Sequence, residues 1–227
     1  MSSAALVFLH TCEVPGLVAA THGGRLEVHE LGPRGPGGRT VLGAVQQVLG
    51  ILQVRLADMA GVFVTTGPGS FTGIRVGIAT AQGLAAARRW RVLACDSLVL
   101  DAQACLGNPR PVAVCHDARR GEAYVCLYDV RGPAAAPLLP AYCDSPAAAL
   151  ARLQAASPPG GVCVGSGAGL VASGSPSWPV LPLPTPEQQA RAAMALVERG
   201  ACATVDASRL EPFYLRHPDV GTVRRDA

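Results

Sequence analysis

The sequence contains no lysine, and all 19 of its basic residues are arginine. This absence excludes a lysine Schiff base and the lysine of a Walker A phosphate loop. Charged residues make up 15% of the 227 residues, and the net charge of +3 is too small to indicate nucleic-acid binding by itself. Aromatic residues make up only 4% and the arginines are dispersed, so the sequence predicts no platform for stacking bases.

Closely spaced metal ligands are also missing. The eight cysteines are never closer than ten residues to one another, which excludes a CxxC metal or redox motif. No two of the five histidines are three to five residues apart, which excludes a paired-histidine metal motif. No serine-histidine-aspartate, cysteine-histidine or paired-carboxylate set stands out. We therefore expect packing surfaces rather than an active site, with no cofactor and no metal.

The chain is long enough for one large domain or two small ones, and its hydrophobic fraction of 49% indicates a globular fold. Several cysteines lie in apolar strand-like runs, which predicts buried thiols in a reducing cytosol. The segment Met1–Gly16 has no basic n-region and only a short apolar run, so it is neither a signal peptide nor a membrane span. We expect a cytoplasmic protein.

One strand, turn and helix organise the chain. Residues 62–66 are apolar or β-branched and predict a buried strand, which ends at Gly67-Pro68-Gly69. Ser70 and Thr72 are candidates to cap a long helix that runs to about Arg88. A glycine-rich turn before a helix is also the geometry of an anion site, but no lysine motif follows it, so tight packing is the preferred interpretation.

Small residues recur every four positions along this helix, at Gly73, Gly77 and Ala81. They form a stripe on one helical face. Because a glycine inside a helix costs roughly 1 kcal/mol relative to alanine, close approach of another helix or backbone is expected to offset the cost. That neighbour could belong to a partner or to the same chain.

The first half alternates strands and helices after a three-stranded meander. Strands are predicted at 6–9, 16–20, 25–31, 62–66 and 92–95. Thr40 is predicted to cap a helix that runs to about Met59, and Ser97 to cap a helix from Leu98 to about Leu106. This order gives a mixed sheet covered by helices, as in the ribonuclease H-like lobe of actin-like and Hsp70-like ATPases.

The second half has shorter elements, and a composition shift at 107–110 predicts two domains, 1–108 and 109–227. The expected elements are strands at 111–116, 122–128 and 162–164, helices at 146–156 and from Pro186 to about Arg199, a proline-rich linker at 132–140 and a loop at 170–186.

Four sequence blocks resemble the TsaB (YeaZ) family. The longest is TTGPGSFTGIRVGIATAQGLA at 65–85, which is similar to the GPGSFTG segment of that family. The others are DARRGEAY at 117–124, GSGA at 165–168 and PFYLR at 212–216. The resemblance extends from about residue 6 to 217. It implies an α/β fold with two ribonuclease H-like lobes and mixed sheets, the second lobe truncated.

The resemblance also implies a function. The family is a non-catalytic scaffold in the bacterial synthesis of N6-threonylcarbamoyladenosine (t6A) at position 37 of tRNA. It binds the catalytic subunit TsaD as a heterodimer, recruits the ATPase TsaE, and contacts tRNA at most indirectly. The paired-histidine motif of TsaD is absent here. A homodimer is possible in the absence of TsaD.

The N-terminal lobe is expected to bind the partner through two helices. The expected interface comprises Gly69, Ser70, Phe71, Thr72, Gly73, Arg75, Gly77, Ala81, Val45, Leu49 and Leu52. Under this hypothesis, a bulky residue at Gly77 abolishes partner binding and leaves the monomer folded.

The chain departs from the family at the end of its first strand. His10 stands where relatives have an aspartate, and a carboxylate is the ligand that a Mg²⁺-nucleotide prefers. No nucleotide cofactor is therefore expected. Two alternatives are an actin-like ATP-binding protein, which the missing aspartate disfavours, and a glycoprotease-like peptidase, which the missing histidine pair disfavours.

Overall fold

The computed structural model describes residues 5–32 and 38–216. The described residues form the strands β1 Leu6–His10, β2 Gly16–His22, β3 Arg25–Leu31, β4 Gly61–Thr65, β5 Arg91–Cys95, β6 Val112–Arg119, β7 Glu122–Asp129, β8 Ala136–Asp144, β9 Val162–Val164 and β10 Ala203–Val205. The helices are α1 Gly38–Leu52, α2 Phe71–Arg88, α3 Ser97–Ala104, α4 Pro146–Ala156, α5 Ala168–Val171 and α6 Pro186–Glu198. Short 3-10 turns lie at Leu56–Asp58 and Ala207–Arg209.

The larger sheet has the strand order β10-β5-β4-β1-β2-β3. The pairs β1–β4 and β4–β5 are parallel, and the other three pairs are antiparallel. Successive side chains of β1 point to opposite faces of the sheet. Val7 and Leu9 pack in the core beneath α1 and α2, whereas Leu6 and Phe8 pack in the core beneath α6. Helices therefore cover both faces.

The smaller sheet has the order β8-β7-β6-β9 and is also mixed, since only β6 and β9 are parallel. Helices α4 and α5 and the buried Trp178 cover one face. Helix α3 lies between the two sheets, because its Leu100 packs in a core of the first sheet while Leu98 and Ala102 pack against the second. The two mixed sheets confirm the predicted α/β class, and the second is the smaller.

Three predicted boundaries are wrong. Helix α1 ends at Leu52 rather than near Met59, because Gln53 adopts a left-handed backbone conformation with φ of 58°. The cap of α3 is Asp96, not Ser97: the Asp96 carboxylate accepts from Val99 N at 2.7 Å. Thr40 does not cap α1, which already begins at Gly38.

Strand β8 begins inside the predicted proline-rich linker, 132–140, and continues to Asp144, so the linker prediction is wrong for residues 136–140. This strand lies at the edge of the smaller sheet and pairs only with β7, so Pro137 and Pro140 are tolerated although they cannot donate a ladder hydrogen bond.

The C-terminal part of the chain returns to the first sheet. Helix α6 packs on the face opposite α2, and β10 pairs with β5 in register Ala203↔Ala94. The boundary between 108 and 109 remains a prediction, but the predicted second domain contributes both of these elements to the first sheet.

Candidate functional site

The small-residue stripe of α2 packs against its own chain. A Cβ added at Gly73 would lie 2.0 Å from the Thr11 carbonyl oxygen, and one added at Gly77 would lie 2.3 Å from Thr11 Oγ1. Thr11 Oγ1 also donates a 2.7 Å hydrogen bond to the Gly73 carbonyl, and Ala81 is fully buried. The segment after β1 is therefore the backbone that approaches this helix closely.

This packing corrects part of the expected partner interface. Six of its residues are buried within the chain: Gly73, Gly77, Ala81, Val45, Leu49 and Leu52. They cannot meet a partner unless the first lobe opens. The expectation that Gly77 can be enlarged without disturbing the monomer is also wrong, since the new side chain would meet Thr11. The other members lie at the start of α2, where Ser70, Phe71, Thr72 and Arg75 are exposed and Gly69 is partly buried.

A different apolar surface faces outward between α1 and α2. We call it the outer helical face; its groove of about 470 Å³ is lined by Leu42, Val76, Ala79, Thr80, Gly83 and Leu84. Leu42 is 46% exposed. A Cβ at Gly83, or at Gly43 on α1, would meet no atom within 4 Å, so another helix can approach both helices closely.

A second concavity, the interlobe cleft, is lined by segments of both lobes. It has a volume of about 560 Å³, within the range of small-molecule sites. Its walls come from the β1–β2 loop, the start of α2, the β6–β7 turn, the turn before α5 and the C-terminal tail. The lining residues are Cys12, Glu13, Val14, Gly69, Ser70, Phe71, Asp117, Ala118, Arg119, Arg120, Tyr124, Ser166, Tyr214 and Arg216.

A polar network leads from the cleft into the protein: Glu13 and Ser166 line the cleft, and the buried His116, Asp101 and Gln189 lie behind them. Ser166 donates its hydroxyl to the Glu13 carboxylate, whose other oxygen lies 3.5 Å from His116 Nδ1. His116 Nε2 lies 2.8 Å from Asp101 Oδ2, and Gln189 Nε2 donates to Asp101 Oδ1 at 2.7 Å. The network joins α3, α6 and the β1–β2 loop to β6 and the turn before α5.

Burial and charge pairing set the protonation of this network. Burial opposes a charge on His116, but the carboxylates of Glu13 and Asp101 outweigh it and raise its pKa to about 9. Burial raises the pKa of Glu13, although His116 and Ser166 partly offset the effect. An imidazolium between two carboxylates therefore sits at the junction of the two lobes.

His10 does not reach the cleft. It is fully buried, its Nδ1 lies 3.0 Å from Thr65 Oγ1, and burial lowers its pKa to about 4. The carboxylate that faces the cleft is Glu13 instead. Sequence reasoning missed both Glu13 and Asp101, because the first is an isolated acid in a loop and the second is an ordinary-looking helix residue; no local pattern marks either.

The β6–β7 turn presents arginines to the cleft. Arg119 and Arg120 both have left-handed backbone conformations, with φ of 63° and 57°, which non-glycine residues rarely adopt. Gly121 completes the turn with φ of 79°. The Asp117 carboxylate accepts from both the backbone N of Arg119 and its guanidinium. The DARRGEAY block therefore forms a strained hairpin tip at the rim of the cleft.

The PFYLR block closes another side of the cleft and connects the lobes. Phe213 N donates to the Thr66 carbonyl at 2.8 Å, and Arg75 Nε donates to Tyr214 Oη at 3.1 Å. Arg216 pairs with Glu122 of β7. The tail thus touches the first lobe at two points and the second lobe at one.

Aromatic and arginine side chains, although sparse in the sequence, converge at this cleft. Phe71 and Tyr214 stack with ring centroids 5.3 Å apart, and the Arg75 guanidinium lies 3.8 Å above the Phe71 ring. Tyr124, which is 7% exposed, also lines the cleft. The fold therefore brings together aromatic and arginine residues that are distant in sequence.

Three further observations concern only residues 5–32 and 38–216. No cluster of three or more histidine, cysteine or acidic side chains is arranged to hold a metal ion there. None of the helices in these ranges has the length and hydrophobicity needed to cross a membrane. The eight cysteines are free thiols, and Cys12, Cys115, Cys126 and Cys163 are buried.

Comparison with known proteins identifies relatives of this chain. A family model described as TsaD, tRNA N6-adenosine threonylcarbamoyltransferase, matches residues 38–197. The protein of Escherichia coli (strain K12) named tRNA threonylcarbamoyladenosine biosynthesis protein TsaB is 37% identical over 115 residues, 49% of each chain. The Bacillus subtilis (strain 168) protein of the same name is 32% identical over 92 residues, 39% of this chain and 38% of the relative. The matches thus span about half or less of these relatives.

Two solved structures match over nearly the whole chain. One is a Pseudomonas aeruginosa protein described as uncharacterized with similarity to peptidase YEAZ, with a TM-score of 0.77, 28% identity, and coverage of 94% of this chain and 100% of that one. The other is YeaZ from Pseudomonas aeruginosa, with a TM-score of 0.73, 26% identity, and coverage of 93% and 100%. They confirm the predicted ribonuclease H-like two-lobe fold.

Proposed function

The chain belongs to the family whose model is described as TsaD, tRNA N6-adenosine threonylcarbamoyltransferase, and within it to the TsaB/YeaZ group, and from that membership we propose that it takes part in the synthesis of t6A in tRNA. The names of its relatives in Escherichia coli and Bacillus subtilis support this role. Its site of action under this proposal is the cytoplasm.

We propose further that the chain is an accessory, non-catalytic subunit. Its partners are a TsaD-type catalytic subunit, bound as a heterodimer, and a TsaE-type ATPase. It forms a homodimer when the catalytic subunit is absent. The family match to TsaD supports a TsaD-type partner.

The observation that carries this proposal is the outer helical face. It offers an exposed leucine, Leu42, beside a groove of about 470 Å³ between two helices. The absence of neighbours around Gly83 lets a partner helix pack close to the backbone of α2. The partner surface is therefore this outward side of the two helices, and not the buried stripe that the sequence indicated.

The test is a substitution that fills the groove and leaves the fold unchanged. In Gly83→Arg the new side chain meets no atom within 4 Å, and arginine favours a helix more than glycine does. We expect the wild-type chain to form a one-to-one complex with the TsaD-type subunit of the same cell, measured by light scattering. We expect Gly83→Arg to weaken it by about tenfold or more, since a buried charge at an interface core is costly.

Gly169→Arg is the matched control. Gly169 is also an exposed helical glycine with no neighbour within 4 Å, but it lies on α5 of the second lobe. The control is expected to bind like the wild type, and both variants to keep the thermal midpoint of the wild type. A wild-type chain that forms no complex at micromolar concentration, or a Gly83→Arg chain that binds normally, contradicts the proposal.

A further inference from the structure

We propose that the mouth of the interlobe cleft binds single-stranded RNA directly, holding one unstacked nucleotide between its aromatic and arginine side chains. This inference rests on the proposed role in tRNA modification, and it goes beyond that role by giving the chain an RNA contact of its own. The cleft contains the three kinds of group that a nucleotide needs. These are a surface on which a base can stack, hydrogen-bond donors to the phosphate, and hydrogen-bond acceptors for the edge of the base.

The stacking surface is the ring of Phe71, which is 38% exposed. Tyr214 stacks with this ring at a centroid distance of 5.3 Å, and the Arg75 guanidinium lies 3.8 Å from the ring centroid. Tyr124 also lines the cleft, but it is only 7% exposed. Recognition of single-stranded RNA depends on bases that stack on such rings or on arginine planes. The volume of about 560 Å³ is sufficient for one nucleotide.

The charges of the cleft are separated between rim and floor. Arginines occupy the rim: the Arg119 side chain is 79% exposed, Arg120 is exposed and Arg216 is partly exposed. The acids lie deeper, since the Glu13 side chain is 15% exposed and that of Asp117 is 25% exposed. A phosphate backbone at the rim meets guanidinium groups, which bind phosphate through paired hydrogen bonds.

Two side chains of the cleft can accept hydrogen bonds from a base. The Glu13 carboxylate and the Ser166 hydroxyl line the same cleft, and a carboxylate accepts from the exocyclic amine of a base. The arginines of the rim already have carboxylate partners, Asp117 for Arg119 and Glu122 for Arg216. Such exposed ion pairs contribute little in water, so a phosphate can replace a carboxylate at small cost.

The test measures binding of a fluorescein-labelled, unstructured RNA of about 12 nucleotides by anisotropy, up to about 100 μM protein. Arg119→Ala is expected to weaken binding by about three- to tenfold and to reduce the slope of log affinity against log salt by ~0.7. Phe71→Leu keeps the apolar bulk but removes the ring, and is expected to weaken binding by about fivefold or more.

The matched control is Arg131→Ala. Arg131 is an exposed arginine paired with the aspartate two residues before it, Asp129, in the same way that Arg119 is paired with Asp117, but it lies outside the cleft. It is expected to bind RNA like the wild type. Thermal melting of each variant checks that it is folded, and light scattering with the TsaD-type subunit checks that complex formation persists.

Specific outcomes overturn the inference. The inference is wrong if the chain does not bind the RNA, or if Arg119→Ala and Arg131→Ala lower the affinity for RNA equally. It is also wrong if the chain binds duplex RNA with the same affinity as the single strand, or if adenosine monophosphate binds as tightly as the RNA. Loss of the protein complex in Arg119→Ala or Phe71→Leu with RNA binding intact makes the cleft mouth a protein interface instead. Loss of the complex in Gly83→Arg alone tests the proposed function and leaves the RNA inference untouched.

Discussion

Two glycines of α2, Gly77 and Gly83, differ in the space available for a side chain. Gly77 lies where any side chain would meet Thr11 Oγ1 at 2.3 Å, whereas Gly83 lies in open space. The two positions look alike in the sequence, since both are helical glycines among small residues. The sequence indicated that a close neighbour exists, but only the fold identifies it as the loop after β1 rather than a partner.

The two glycines should therefore respond differently to alanine. We expect Gly77→Ala to lower the free energy of unfolding by about 1–3 kcal/mol, because the methyl group overpacks a rigid contact. We expect Gly83→Ala to raise it by up to about 1 kcal/mol, since alanine favours the helix. Urea denaturation measures both values, and equal effects at the two positions contradict the packing described.

His116 should make stability depend on pH. Its pKa is about 9 in the folded chain and near 6.5 when unfolded, so the folded state binds the proton more tightly. Its stabilising contribution is complete below about pH 6.5 and is lost as the pH rises through 9. We expect the stability advantage of the wild type over His116→Gln to shrink by on the order of 3 kcal/mol between pH 6 and pH 9.5.

Urea denaturation of both proteins at the two pH values measures this difference, which includes the response of Glu13 and Asp101, since the pKa of each depends on His116. An advantage that is constant with pH means that folding does not raise the pKa of His116, and it removes the imidazolium from the interlobe junction.

At the scale of elements, local signals predicted the helices better than the sheet edges. Helix α4 and strand β3 have the predicted bounds, because a proline at the first turn and an alternating apolar pattern are local features. Strand β10 was missed, since its three residues become a strand only by pairing with β5. The cleft was missed for the same reason: its walls come from five segments that no local pattern relates.

Helix α6 depends on its capping box. Thr185 Oγ1 accepts from Gln188 N, and the Gln188 side chain accepts from Thr185 N in return. We expect Thr185→Ala to lower the free energy of unfolding by about 1 kcal/mol. Ser145→Ala at the start of α4 removes a longer cap bond, 3.4 Å from Ala148 N to Ser145 Oγ compared with 3.2 Å from Gln188 N to Thr185 Oγ1, and should cost less. A Thr185→Ala chain as stable as the wild type in urea contradicts the contribution of the box.

At the scale of the whole molecule, three sets of contacts hold the lobes in one arrangement. Helix α3 packs against both sheets, the His116 network joins elements of both lobes, and the C-terminal tail pairs with each of them. The arrangement leaves two surfaces available, the outer helical face and the interlobe cleft. We propose a protein partner for the first surface and RNA for the second.

The most direct test of the central claim is the t6A content of tRNA from cells depleted of this chain, measured by nucleoside mass spectrometry. The account predicts that t6A falls on depletion and is restored by the wild-type chain and by Gly169→Arg, but not by Gly83→Arg. Unchanged t6A after depletion contradicts the proposed role in tRNA modification, and full restoration by Gly83→Arg contradicts the outer helical face as the partner surface.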